Sequence, residues 1–118
     1  MALKDNKVSV KGSLKRFRDF VFIDDVTEAW YIASIKKNSN NSIYNIGTGK
    51  KTTILELLKI ISQTINKKIE IFELKGTPGD FNGCYSNISK IKKDLNFKPK
   101  VDLKKGLKIF YKWARKIK

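Results

Sequence analysis

Residues Tyr44 to Leu58 read YNIGTGKKTTILELL, and this stretch limits the fold more than any other. An apolar, β-prone run meets two closely spaced glycines, and a helix-forming run follows at once. Such a chain must turn sharply between Ile46 and Thr53, and glycine permits the backbone angles of such a turn. Thr53 and Glu56 stand in the spacing of a capping box, where each side chain satisfies the other residue's first-turn backbone N–H. Ile54, Leu57, Leu58, Ile61 and Ile65 then recur every three to four residues, which predicts a helix over 54–65.

Strand, glycine turn and helix is also how many proteins cradle phosphate, but the spacing argues against that here. A G-x-x-x-x-G-K-[ST] loop ending at Gly49-Lys50 needs glycine at 44 and a hydroxyl at 51, and the residues are Tyr44 and Lys51. A G-x-G-x-x-G dinucleotide loop needs glycine at 52, where Thr52 stands. The stretch therefore reads as a structural turn into a capped helix.

The remaining elements alternate. KVSV (7–10), RDFVFI (18–23), IYNI (43–46) and KIEIFEL (68–74) read as strands. Asp25-Val-Thr-Glu28 matches a second capping box, opening a helix through Lys36. Ser89–Leu95 reads as a short helix, and Asp102 can cap a last helix with Leu103, Leu107, Phe110, Tyr111, Trp113 and Ala114 on an apolar, core-facing stripe. Segments 36–42 and 75–83 are loops, the latter with three of the seven glycines. The expectation is a single small mixed α/β domain over 1–118, with three to four short strands and four helices.

Composition narrows the chemistry. The 118 residues include no histidine and one cysteine, Cys84, which excludes metal–histidine sites, Ser–His and Cys–His catalysis, and an internal disulfide. Cys84 reads as an inert thiol. No catalytic residue and no metal ligand is expected. Asp24 and Asp25, adjacent at a strand-to-helix turn, read as cap and solvent rather than as a catalytic pair. No run is long enough to span a bilayer, the opening MALKDNKVSV lacks a secretory apolar core, and the chain reads as cytoplasmic with no membrane partner. The net charge of +15 suggests a polyanion-binding module. However, only Arg16, Arg18 and Arg115 of the 26 basic residues are arginine, the side chain that base and phosphate readers favour. A lysine-covered solvent face is the plainer reading, and nucleic acid is not the expected partner.

In order, the chain gives RDFVFIDDVTEAW, YNIGTGKKTTILELL, GTPGD and SNISKIKKDLNFKPKVDLKKGL. This succession resembles the C-terminal part of the extended short-chain dehydrogenases/reductases, the NAD-dependent sugar-nucleotide epimerases and dehydratases, across residues 12–107. The resemblance implies that YNIGTG is a structural strand and turn. It implies that Arg18 contacts the diphosphate of a UDP-, dTDP- or GDP-sugar; an Arg18–Asp19 framework ion pair is the competing reading. By the same resemblance, Phe20 borders the nucleotide, or is simply core, and Asp80 lies at the ribose, or stabilises its own loop. Thr77 stands where the family usually has an arginine, leaving Lys75 as the substitute charge. Lys11 replaces an aromatic near the base.

The family's NAD-binding loop and Tyr-x-x-x-Lys pair are not in this sequence: four residues after Tyr31, Tyr44, Tyr85 and Tyr111 come Ile35, Thr48, Ser89 and Arg115. The chain is thus expected to hold no cofactor and to be inert alone. Its NAD-binding domain would come in cis or in trans, with a homodimer possible.

Overall fold

A computed structural model of the chain describes residues 6–76, 78–79 and 81–117. Its elements are β1 (Lys7–Lys11), β2 (Phe17–Arg18), α1 (Ile23–Ile35), a 3-10 turn (Lys37–Ser39), β3 (Thr52–Thr53), α2 (Ile54–Ile65), β4 (Glu70–Leu74), α3 (Ser89–Leu95) and α4 (Leu103–Lys116). The small mixed α/β architecture with four helices and few, short strands is the expected one.

The strands form two separate pairs. β1 and β4 run parallel, with Lys7 opposite Glu70 and Lys11 opposite Leu74. A parallel pair needs a long crossover, and everything from β2 to α2 lies within it. β2 and β3 pair antiparallel over two residues, Phe17 with Thr53 and Arg18 with Thr52. Phe17 also bridges to Gly83, where an added Cβ would lie 2.5 Å from the Phe17 carbonyl oxygen. This close approach requires a residue with no side chain.

The local signals around α2, α3 and α4 hold. Glu56 N–H donates to Thr53 Oγ1 at 3.1 Å and Thr53 N–H donates to Glu56 Oε2 at 2.7 Å, completing the capping box. Asn66 closes α2 in the left-handed region at φ 52°. Asp102 caps α4 by accepting from Lys105 N–H at 2.8 Å. The core lies between α1 and α3, where Ala29, Ile88, Ile91, Leu95 and Phe97 form one buried cluster with Tyr44 and Ile46 against it.

Four expectations need correction. RDFVFI forms a ladder only at Arg18 and continues as extended chain into α1. IYNI alternates as a strand should, Tyr44 and Ile46 inward and Ile43 87% exposed, yet no backbone–backbone hydrogen bond joins 43–46 to another described residue. Helix α1 begins at Ile23 with Phe22 as its cap residue, so the Asp25–Glu28 box does not form. Asp25 is not at the surface but 1% exposed inside the first turn. Its carboxylate accepts from Lys100 N–H at 2.9 Å and Val101 N–H at 3.1 Å, while Glu28 pairs with the Lys100 ammonium. Finally, the α4 stripe is only partly core. Leu103, Leu107, Tyr111 and Ala114 are half-buried, but Phe110 and Trp113 are 55% and 56% exposed, because no described element covers that flank.

Asp25 thus ties α1 to the segment that starts α4. A buried acceptor that loses its role leaves two amides unsatisfied, at a cost of about 1–3 kcal/mol each. Asp25→Ala should lower unfolding stability by about 2–4 kcal/mol in urea titration. An unchanged midpoint would show that the 100–101 segment is held by something else.

Candidate functional site

The glycine turn does not bind phosphate; it encloses a carboxylate from its own chain. Asp19 accepts from Thr48 N–H (2.9 Å to Oδ1), Gly49 N–H (2.9 Å to Oδ2), Ser86 N–H (3.2 Å to Oδ2) and the Thr48 hydroxyl. Gly47 lies so close that an added Cβ would sit 2.5 Å from Asp19 Oδ2 and 2.6 Å from Ser86 Oγ. Gly49 adopts the left-handed φ of +74° that the turn requires. The amides that could face a diphosphate are spent on an internal anion, so this turn does not fit NAD. Partial burial works to raise the Asp19 pKa, but the bonds from the Thr48 hydroxyl and from the Thr48, Gly49 and Ser86 N–H groups outweigh it. They hold the group below the ordinary carboxylate value.

Successive residues of an extended chain point to opposite sides. With Asp19 turned into the glycine loop, Arg18 is turned away from it. The competing Arg18–Asp19 ion pair is not formed among the described residues. Arg18 Nη1 donates to the Phe17 carbonyl at 2.7 Å, and its guanidinium carbon lies 4.5 Å from the centre of the Phe81 ring. The rest of the planar fork remains available for an oxyanion.

Lys75 follows β4 on the exposed rim. The parallel pair brings its loop beside the lead-in to Arg18. Gly12 N–H donates to the Leu74 carbonyl at 2.9 Å, and Gly76 packs so near Gly12 that its Cβ would lie 3.4 Å from the Gly12 Cα. Farther along, Phe17 N–H donates to the Asn82 carbonyl at 3.1 Å. The lead-in 11–16 is itself stitched down, since Arg16 Nε donates to the Ser13 carbonyl at 3.1 Å and another guanidinium N–H donates to the Lys11 carbonyl. Segment 11–18 and the described residues 75–76 and 81–83 therefore form one surface. Asp80 and Thr77 lie outside the described residues. Phe20 is half-buried and lines two open grooves of about 370 and 400 Å³, the first walled by Phe22, Leu107 and Phe110, the second by Thr48, Lys50 and Lys104.

Sequence reasoning missed Asp19 as an anchor and Phe81 as a ring beside the guanidinium. The contacts of Asp19 with residues 48, 49 and 86 span 29 to 67 positions, and no local pattern signals them. It also missed Lys51, whose ammonium stands 5.0 Å from the Phe17 ring centre and 4.8 Å from that of Tyr85. Among the described residues no cluster of acids and cysteine could hold a metal ion.

Comparison with known proteins identifies the frame. The model of the GDP-mannose 4,6 dehydratase family matches residues 1–110. The chain belongs to this family. It corresponds to the C-terminal part of an extended short-chain dehydrogenase/reductase of the NAD-dependent sugar-nucleotide epimerase and dehydratase group. A putative UDP-glucose 4-epimerase of Methanocaldococcus jannaschii is 36% identical over 113 residues, which are 96% of this chain and 36% of the relative. Among solved structures, the UDP-glucose 4-epimerase of Thermotoga maritima with UDP-glucose superposes with a TM-score of 0.87 at 32% identity, over 94% of this chain and 35% of that one. The UDP-glucuronic acid 4-epimerase of Bacillus cereus with UDP-glucuronic acid and NAD gives a TM-score of 0.90 at 25% identity, over 99% and 38%. The chain thus spans about a third of the length of these relatives.

The Asp19 cage predicts a pH signature. Because its folded-state pKa is depressed, the stabilisation it gives is present above the unfolded-state value of about 4 and is lost as pH falls through the folded value. Asp19→Asn should cost about 1.5–3 kcal/mol at neutral pH, and the gap to the parent should close in acid. Urea midpoints of both proteins from pH 7 to pH 3 check this; a gap independent of pH would mean the charge is not what the amides hold.

Proposed function

We propose that this chain is the nucleotide-sugar-gripping part of an NAD-dependent epimerase or dehydratase, and that turnover needs an NAD-binding portion supplied in cis or in trans. The observation that carries this reading is the placement of Arg18. It stands half-buried on β2, turned away from Asp19, at the seam where segment 11–18 meets residues 75–76 and 81–83. A guanidinium with most of its fork unspent suits two oxygens of a diphosphate. Lys75, on the same seam, adds a point charge where Thr77 supplies none. Phe20, on the rim of both grooves, would border the nucleotide, and Asp80 would accept from the ribose hydroxyls. The relatives crystallised with UDP-glucose and UDP-glucuronic acid favour a UDP-sugar, with dTDP- and GDP-sugars as the other members of the class.

Hydride chemistry at the sugar would come from NAD held by the second portion, and no residue of this chain is assigned to it. This chain contributes grip and orientation rather than proton transfer, since none of its tyrosines is followed four residues later by lysine. Its surface supports a missing neighbour. It exposes 8793 Å², against about 6,600 Å² for a compact monomer of 13.6 kDa. The excess, about 2,200 Å² on this one side, is well above the roughly 800 Å² that each partner buries in a standard interface and falls in the range of obligate interfaces. The radius of gyration, 16.8 Å, likewise exceeds the roughly 13–14 Å of a compact domain this long.

Calorimetric titration of UDP-glucose into the chain and into Arg18→Ala tests the reading. Loss of charge-assisted bonds to the diphosphate should weaken binding by about tenfold or more, and Lys75→Ala by a smaller factor. Equal affinity in Arg18→Ala sinks the site assignment. Epimerisation or dehydration by the chain with NAD alone would sink the claim that it needs a second portion.

A further inference from the structure

Helix α4 carries six cations, Lys104, Lys105, Lys108, Lys112, Arg115 and Lys116, and no acid. At about 100° per residue these fall within an arc of about 120° on one side of the helix. The next arc holds Ile109, Trp113 and Ile117, spaced four residues apart and 42%, 56% and 65% exposed. The half-buried Leu107, Tyr111 and Ala114 occupy a third sector. None of the six cations makes an ion pair with another described residue. Lys108, Lys112, Arg115 and Lys116, with Tyr111 and with Thr64 of α2, line an open cavity of about 700 Å³. The apolar stripe shares no residue with the groove of Phe20, Leu107 and Phe110.

Against the expectation of no membrane partner, we propose that α4 is a membrane-surface helix, which lays Ile109, Trp113 and Ile117 into the interface of an anionic bilayer while the adjoining cations meet the phosphate headgroups. Both features are needed for this choice. A nucleic acid would take the cations and leave the Ile–Trp–Ile stripe in water; a neutral apolar partner would take the stripe and leave six charges unanswered. An anionic bilayer answers both, because its acyl boundary accepts apolar side chains and its surface accepts lysine heads on long apolar stems. Tryptophan suits that boundary, with an apolar ring and one N–H to satisfy. This is attachment, not a span: among the described residues no helix is long and apolar enough to cross a bilayer.

The test uses Trp113 as its own reporter. Trp30 is the other tryptophan and is exposed, so Trp30→Phe leaves a single emitter in the 118-residue chain. Phosphatidylcholine vesicles containing phosphatidylglycerol should shift Trp113 emission to the blue, and pure phosphatidylcholine vesicles should not. In cosedimentation of the parent chain, Trp113→Ala should weaken partitioning by about tenfold. Lys108→Ala and Lys112→Ala should each weaken it by about fivefold. Circular dichroism confirms that the helix persists; if Trp113→Ala unfolds, Ile117→Ser at the helix end carries the same test with a smaller loss. The proposal is overturned if Trp113 emission does not move, if cosedimentation survives both apolar variants (charge alone then binds), or if duplex DNA outcompetes the vesicles at equal salt.

Discussion

The carboxylate of Asp19 is the fixed point around which the site is built. Three backbone N–H groups and one hydroxyl converge on it from the glycine turn and from Ser86. A partly buried charge held by several donors has few alternative positions, since each lost bond leaves a desolvated acceptor behind. The cage therefore sets the path of the chain on both sides. Before it, Arg18 must point the other way. After it, residues 20–22 run extended into α1, and Phe22 comes to rest on Gly106 of α4, where a Cβ would meet its ring at 2.9 Å.

The second organising feature is the parallel pairing of β1 with β4, elements separated by about half of the chain. The pair contributes little to the core, yet it brings residues 75–76 and 81–83 beside the segment carrying Arg18. The cost of closing so long a loop rises only slowly with its length. The crossover could thus accommodate a helix, a turn and a second capped helix without loosening the seam it serves.

What was legible in the sequence was local. Thr53–Glu56, the 54–65 repeat and Asp102 act within a turn or two of themselves, and the structure has them as read. What was illegible was decided across the fold. Asp25 looked like a cap because Glu28 follows at the right interval, but residues 100–101 lie close enough to claim its oxygens. Asp19 gave no signal at all. The α4 stripe had the right period for a core face, and period alone does not say whether a neighbour is present to cover it. IYNI had the right alternation, and alternation does not supply a partner strand. Arg18 was singled out by family resemblance, whereas Phe81, whose ring lies 4.5 Å from its guanidinium, carried no signal in the sequence.

Residues 43–46 show one side of a β-strand finished and the other side bare. Tyr44 and Ile46 are already seated on the α1–α3 core, the Ile46 carbonyl accepts from the Ser86 hydroxyl and the Ile43 carbonyl from the Lys90 ammonium, yet no backbone–backbone hydrogen bond joins the segment to another described residue. An alternating segment that lacks backbone partners among the described residues is a template for another extended strand. Between chains at high concentration, such an edge favours pairing with a second extended segment, as exposed strand edges do in general. The edge that makes the chain awkward by itself is the one that would let a neighbouring sheet continue into it without rearranging its core.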